Sequence, residues 1–249
     1  MRYAIETKGL TKKYKDNVAV NDLNLSIHEG ELFALLGVNG AGKTTTIRML
    51  SCLSKPSGGA AAVFGHDVVK ASDEVKRSVG ISTQDTAVAD NLTVEENLRF
   101  MAEIYMSEDA GSKKEIKKKI DAKVEGVLKD FSLDEVRSKR AKHLSGGWQR
   151  RLSIAMAVIS SPKVLFLDEP TLGLDVLARR ELWKEIEKLR SSMTIILTTH
   201  YMEEAEALAD RIGVMIKGRL VEIGTLEELE QKTGKKGLEE VFIKIAEDY

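Results

Sequence analysis

The sequence predicts an α/β fold: a largely parallel sheet with a phosphate-binding edge, and a helical subdomain inserted into that sheet-based core. Three observations predict it. Gly37-Val38-Asn39-Gly40-Ala41-Gly42-Lys43-Thr44 has the pattern glycine, any four residues, Gly-Lys-Thr, set between the apolar run Leu32–Leu36 and the helical stretch Thr44–Leu53. Val164–Leu167 is a second short apolar run, and it ends in Asp168-Glu169. From about residue 88 to 160 the texture is helical.

The glycine-rich stretch sits where strand turns into helix, and the chemistry needs it there. A polyphosphate must reach several backbone N–H groups at once, and Gly37, Gly40 and Gly42 let the chain turn and approach closely. The following helix start adds unpaired N–H groups and a positive dipole end. Val38, Asn39, Ala41 and Thr45 complete the candidate cradle. Lys43 is placed to reach the β- and γ-phosphates, and Thr44 to put its hydroxyl on Mg²⁺. The loop alone does not choose among kinases, GTPases and motor ATPases.

A chain of 249 residues makes one large domain or two small ones. Its net charge of −1 argues against general binding to nucleic acid or to an anionic membrane. The one cysteine, Cys52, allows no internal disulfide, fits a reducing compartment and reads as a packed residue on the first helix. MRYAIETKGL lacks a secretory apolar stretch. No apolar run approaches the ~18 residues of a membrane span, so the chain is expected to be soluble by itself.

Along the chain, Tyr3–Ile5, Ala19-Val20 and Leu23–Ile27 suggest strands before Leu32–Leu36, with a turn at Glu29-Gly30. Tyr14, in Lys12-Lys13-Tyr14-Lys15, is either a surface residue or a stacking platform for a flat ligand. Pro56–Gly59 breaks the pattern, and Ala60–Phe64 and Val79–Ser82 read as strands. Gln84 follows at a strand-to-loop edge, where a neutral amide can offer oxygen to a metal or a water, or simply face solvent. Thr93–Glu96 and Ser112–Glu115 are capping-box starts. Ile116, Ile120, Val124, Val127, Leu128 and Phe131 recur at helical spacing, and the lysines among them read as a solvated face.

Leu144-Ser145-Gly146-Gly147 then opens the helical run Leu152–Ile159, a second anion-binding geometry of hydroxyl, free N–H groups and dipole end. Read as an N-cap alone, Ser145 is unremarkable. Asp168 and Glu169, at the end of a central parallel strand, face the ligand crevice. Asp168 suits Mg²⁺ through water, and Glu169 is placed to orient or deprotonate an attacking water. Pro170 stops the strand. A helix is expected from Ala178 to Leu189. Met193–Leu197 reads as another buried strand, which puts His200 at the same edge, within reach of a γ-phosphate. Residues 211–223 read as a hairpin turning near Lys217-Gly218, and Thr225–Leu229 as the start of a terminal helix. The charged last stretch carries no further signal.

Taken together, residues 3 to about 230 resemble the ATP-binding subunit of an ABC transporter. The order and spacing of the motifs carry the resemblance. Leu144–Gly147 resembles the family's signature, Val164–Glu169 its second nucleotide motif with the adjoining glutamate, and Gly173-Leu174-Asp175 the loop that follows. His200 is similar to the switch histidine, Gln84 to the lobe-boundary glutamine, and Tyr14 to the aromatic that stacks on adenine. Leu92–Leu98 resembles a segment found after that glutamine. Residues 198–224 look most like the drug- and polysaccharide-exporter subfamily. Trp148 stands where the signature usually continues with glutamine, and Leu172 where a residue is often small.

The resemblance implies a P-loop NTPase of the ABC ATPase fold, with a RecA-like core, an antiparallel β-subdomain and an inserted helical subdomain. It implies one ATP-binding domain over 1–230 and a short extension over 231–249. It further implies ATP and Mg²⁺, and a head-to-tail dimer, homomeric or heteromeric, with ATP between one chain's Lys43 and another's Ser145, Gly146 and Gly147. The implied partner is a separate integral-membrane permease, which would hold this chain on the cytoplasmic face of the cell membrane by docking near residues 84–100, where Glu95 and Glu96 are the charges expected to matter. No nucleic-acid partner is implied. The alternatives fit less well. A translation-type ATPase usually has two cassettes in one chain, a repair-type one has a long coiled coil that 88–160 cannot hold, and a phosphotransferase leaves Ser145–Gly147 unexplained.

Overall fold

The structure, a computed structural model, describes residues 2–106 and 111–249. Its strands are β1 (Tyr3–Tyr14), β2 (Asn17–His28), β3 (Leu32–Leu36), β4 (Gly58–Val63), β5 (His66–Asp67), β6 (Val79–Ser82), β7 (Val164–Asp168), β8 (Thr194–Thr199), β9 (Arg211–Ile216) and β10 (Arg219–Gly224). Its helices are α1 (Lys43–Leu50), α2 (Ser72–Ser78), α3 (Val94–Met106), α4 (Lys113–Asp130), α5 (Gly146–Val158), α6 (Val176–Leu189), α7 (Met202–Leu208), α8 (Leu226–Thr233) and α9 (Leu238–Asp248). An antiparallel sheet runs in the order β2-β1-β4-β5, and a second sheet in the order β10-β9-β3-β8-β7-β6. In the second, all neighbours but the β9–β10 hairpin pair in parallel.

The parallel strands are apolar because both of their faces are covered. β3, β7 and β8 are buried at every position. Successive side chains point to opposite faces, and the core divides accordingly. Leu32, Ala34, Leu36, Leu165, Leu167, Ile195 and Leu197 pack with the helices α3, α4 and α5. Phe33, Leu35, Val164, Phe166 and Ile196 pack with α1 and the antiparallel sheet.

The helical region divides into α3, α4 and α5, with Val94, Leu98, Val124 and Leu128 buried against one another. Both expected capping boxes form. Thr93 Oγ1 accepts from Glu96 N–H while Glu96 accepts from Thr93 N–H, and Ser112 and Glu115 do the same. Glu95 and Glu96, the charges expected to matter for docking, also have partners within the subdomain. Glu96 closes its box, and Glu95 accepts from Arg137 at 3.0 Å and pairs with Arg99 at 3.5 Å. Glu96 stays at the surface, and Glu95 is partly buried among its ion pairs.

Three expectations change. The first helix ends at Leu50 rather than Leu53, because Ser51 bonds back to Ile47 O and Cys52 turns to φ 61°. Cys52 is therefore a half-buried turn residue beyond the helix. The helix begun at Thr225 is not terminal. After α8 the charged last stretch forms α9, whose Leu238, Val241, Phe242 and Ile245 join the same core as Ala205, Leu208 and Leu229. Among the described residues no helix is long and apolar enough to cross a membrane.

Phe242 tests whether α9 is integral to that core. Phe242→Ala should lower the free energy of unfolding by about 3 kcal/mol, from lost burial and the cavity left behind. Urea denaturation measures it, and an unchanged midpoint would show α9 to be a dispensable appendage.

Candidate functional site

Strand register builds the site. Leu36 lies opposite Thr199, Asp168 opposite Thr198, and Ser82 opposite Leu167, so four chain segments leave the sheet at one edge. That edge, at the carboxyl ends of parallel strands, is where α/β sheets hold ligands. A cleft of about 640 Å³ opens there, lined by Tyr14, Asn39–Thr45, Gln84, Glu169, Leu172 and His200 among others.

The glycine-rich loop joins β3 to α1. Gly42 is obligatory twice over: its φ is +104°, and a Cβ on it would lie 2.4 Å from Ala19 O. Gly37 is equally confined, since a Cβ there would sit 2.4 Å from Met215 O. Lys43 is 5% exposed, and a buried ammonium must be paired. It donates to Gly37 O at 2.6 Å and Val38 O at 3.3 Å and pairs with Glu169 Oε1 at 3.1 Å. Gly37 and Val38 thus act through their carbonyls from behind the cleft, while the Val38 side chain points outward.

The side chains of Asp168 and Glu169 take different directions. Asp168 turns inward. Its Oδ1 accepts from Thr44 Oγ1 at 3.0 Å and Thr198 Oγ1 at 2.6 Å. Glu169 adopts φ 50°, a left-handed backbone that a non-glycine residue takes only when its surroundings hold it there. Its N–H donates to Thr198 O and Oγ1, both at 3.1 Å. Its carboxylate spans Lys43 on one oxygen and His200 Nδ1, at 2.8 Å, on the other.

Gln84 lies at the cleft wall and Tyr14 at its rim, 44% exposed, with Lys12 Nζ 5.0 Å from the ring centroid. Ser145 and Gly147 are not in this cleft. They line a separate hollow with Trp148, Arg151, Ala178 and Glu181. Ser145 stands at the N-cap of α5 without bonding its first turn, so its hydroxyl faces outward.

The sequence reading passed over three residues. Thr198 holds Asp168 and the Glu169 backbone. Arg150, 3% exposed, donates to the carbonyls of Thr83, Asp168 and Glu169. Burial pulls its pKa down, against Asp168, Glu204 and Glu169 nearby. Glu204 is fully buried beneath the edge and accepts from Trp183 Nε1 at 3.1 Å; burial pushes its carboxyl up, toward the neutral form. Arg150, Ser153, Ile154 and Ala157 share the buried side of α5 at helical spacing, which was the available signal for Arg150.

Thr198→Val keeps the side chain's shape and removes the hydroxyl. A lost hydrogen bond to a buried carboxylate should lower unfolding stability by about 1.5–3 kcal/mol. An unchanged urea midpoint would show that Thr198 does not hold Asp168.

Known proteins agree with this geometry. A family profile described as ABC transporter matches residues 20–172. The chain is 42% identical over 236 residues to the daunorubicin/doxorubicin resistance ATP-binding protein DrrA of Streptomyces peucetius, spanning 94% of this chain and 69% of that protein. It is 41% identical to the phospholipid-transporting ATPase ABCA3 of Homo sapiens over 92% of this chain, which spans only 13% of ABCA3. A solved ATP-binding subunit of an ABC transporter superposes with a TM-score of 0.83 at 28% identity, covering 98% of this chain and 99% of that one. A dimeric ATP-binding cassette in a post-hydrolysis state, bound to ADP and Pi, superposes with a TM-score of 0.78 at 27% identity, covering 89% of this chain and 98% of that one. The parallel-sheet cleft, the open start of α5 and these likenesses lead to one conclusion: the chain belongs to the ABC transporter family, as an ATP-binding and ATP-hydrolysing subunit.

Proposed function

We propose that this subunit works on the cytoplasmic face of the cell membrane, docked on a separate integral-membrane permease, and powers export by ATP-driven closure of two such chains. One observation carries the proposal. The chain has two phosphate-facing surfaces that do not meet within it: the cleft around Lys43 and Glu169, and the open start of α5 at Ser145. A second chain placed head to tail brings them together on one triphosphate. The dimeric cassette bound to ADP and Pi supports this arrangement, and the drug-resistance role of DrrA supports export. On α3, Phe100 and Ile104 stand about half exposed and give the helical subdomain an apolar face for the permease.

In this reading, ATP lies with its base on Tyr14 and its phosphates over the Asn39–Thr45 backbone. The Thr44 hydroxyl, the Asp168 carboxylate and the Gln84 amide are oxygen donors, the kind that suits Mg²⁺, which leaves other positions to water and phosphate. When bound, Mg²⁺ neutralises developing charge on the phosphates. Lys43 binds the β- and γ-phosphates, and those oxygens compete with Glu169 for its ammonium. Glu169, released on that side and held on the other by His200, takes a proton from the attacking water. The water oxygen bonds to the γ-phosphorus as the bond to the ADP oxygen breaks. Ser145 and the Gly146 and Gly147 N–H groups of the second chain hold the γ-phosphate until that bond is cut. Hydrolysis then reopens the pair, a ligand-stabilised two-state change.

Glu169→Gln tests the mechanism. It keeps the side chain's shape and removes its basicity, so hydrolysis should fall by at least ~10²-fold while ATP binding persists. The variant should also accumulate as an ATP-bound dimer on size-exclusion chromatography. Normal hydrolysis would sink the base assignment, and a monomer with ATP bound would sink closure between two copies of this chain.

Tyr14→Ala should weaken nucleotide affinity by about 1–3 kcal/mol if the ring stacks on adenine. Titration with a fluorescent ATP analogue measures it, and unchanged affinity removes Tyr14 from the site.

A further inference from the structure

We infer that Arg150 is a positioning residue for hydrolysis: it fixes the backbone that aims Glu169 into the cleft and ties that backbone to the helix whose start bears Ser145. The guanidinium is buried under the sheet edge. Nη1 donates to Thr83 O at 2.6 Å, and Nη2 to Glu169 O at 2.6 Å and Asp168 O at 3.3 Å. The three carbonyls come from two loops that leave β6 and β7 side by side. One of those loops leads to Gln84, the other is the turn holding both carboxylates.

The geometry gives the bond to Glu169 O a particular task. Glu169 holds φ 50°, an unfavourable backbone for a residue with a side chain. Two anchors hold it there. Thr198 takes the Glu169 N–H from the strand side, and Arg150 takes the carbonyl from the helix side. With both ends of the residue fixed, the carboxylate reaches Lys43 and His200. With the carbonyl released, the peptide after Glu169 can turn, the residue can relax toward an ordinary conformation, and the carboxylate swings off its line. Arg150 is buried and is not among the residues that line the cleft, so it acts through Glu169.

Its position on α5 extends that action. Ser145 caps α5 at the exposed hollow, and Arg150 lies little more than a turn further along the same helix, on the buried side. A shift of the helix start toward a nucleotide held by another chain would therefore pull on the carbonyls of Asp168, Glu169 and Thr83. This inference rests on Glu169 being the base, and the test separates the two.

Arg150→Lys and Arg150→Met are made in the full chain, alone and with Glu169→Gln, beside Glu169→Gln alone. Thermal unfolding verifies folding, a fluorescent ATP analogue reports affinity, and steady-state and single-turnover assays report hydrolysis. Arg150→Met should keep its affinity within ~3-fold and lose at least ~10-fold in kcat, as small misplacements of catalytic groups do. Arg150→Lys should recover part of the rate, because an ammonium reaches some but not all of the three carbonyls. Combined with Glu169→Gln, Arg150→Met should cause no further loss, the signature of two residues acting as one unit. The inference is overturned by an unchanged kcat, by a loss confined to KM and affinity, or by losses that multiply in the double variant. Should Arg150→Met fail to fold, Arg150→Lys decides alone: a wild-type kcat overturns the inference, and a lowered kcat at unchanged affinity upholds it. Full activity of Glu169→Gln by itself would fail the base assignment independently of either Arg150 variant.

Discussion

Charge at the edge of the parallel sheet must cancel locally, and the rest of the site follows from that constraint. Lys43 and Arg150 are buried cations, 5% and 3% exposed, and Asp168 and Glu169 are buried anions, 3% and 5% exposed. An isolated buried charge is too costly to keep, so each must find a partner or several hydrogen bonds. Lys43 meets Glu169 and two loop carbonyls, Arg150 meets three carbonyls, and Asp168 meets two hydroxyls. Burial pushes the pKa of Glu204, the further carboxyl beneath them, upward. A triphosphate brings several negative charges to this balanced cluster. In the proposed mechanism it exchanges for Glu169 on Lys43 and brings its own cation. In that mechanism, binding and release of the proposed base are one electrostatic event.

The cluster is linked to distant surfaces through elements, not through flexible loops. α5 begins in the outer hollow at Ser145 and is buried from Leu152 to Val158 against the sheet face shared with α3 and α4. The opposite face packs on the antiparallel sheet that carries Tyr14. One five-residue strand, β3, serves both faces by the alternation of its side chains. The site lies at the carboxyl end of that strand, so the sheet that carries Tyr14 and the helical subdomain are both packed on the element that leads into the cleft.

What the sequence made legible was the part built from unusual local chemistry. Gly37–Thr44 needs its glycines, the buried strands need unbroken apolar runs, and Asp168-Glu169 at the end of such a run has few structural explanations. From these the edge, the cleft and most of its lining could be read. Long-range satisfaction was not legible. Thr198 reads as one more β-branched strand residue, and only the fold shows what its hydroxyl holds. β1 continues through Lys12 and Lys13 to Tyr14 because an antiparallel strand with one wet face tolerates them, while the sequence suggested a strand only at Tyr3–Ile5. α9 was readable: Leu238, Val241, Phe242 and Ile245 have helical spacing, and the surrounding charges obscured it.

Trp148 shows how a departure from a family pattern is absorbed. It follows Gly147, at a helix start whose N–H groups are the expected anion donors. Its ring turns aside from them: Arg151 lies 4.7 Å from the ring centroid, and Arg151 in turn bonds Glu181 of α6 at 3.1 Å. The cation stacked on the indole is thereby held partly neutralised by a carboxylate from the helix that follows Asp175. The result is one wall of the hollow that joins α5 to α6 and leaves Ser145 and the glycine backbone open on the other side. A side chain at this position is constrained by that wall more than by the anion, so an aromatic residue can replace an amide there without closing the helix start.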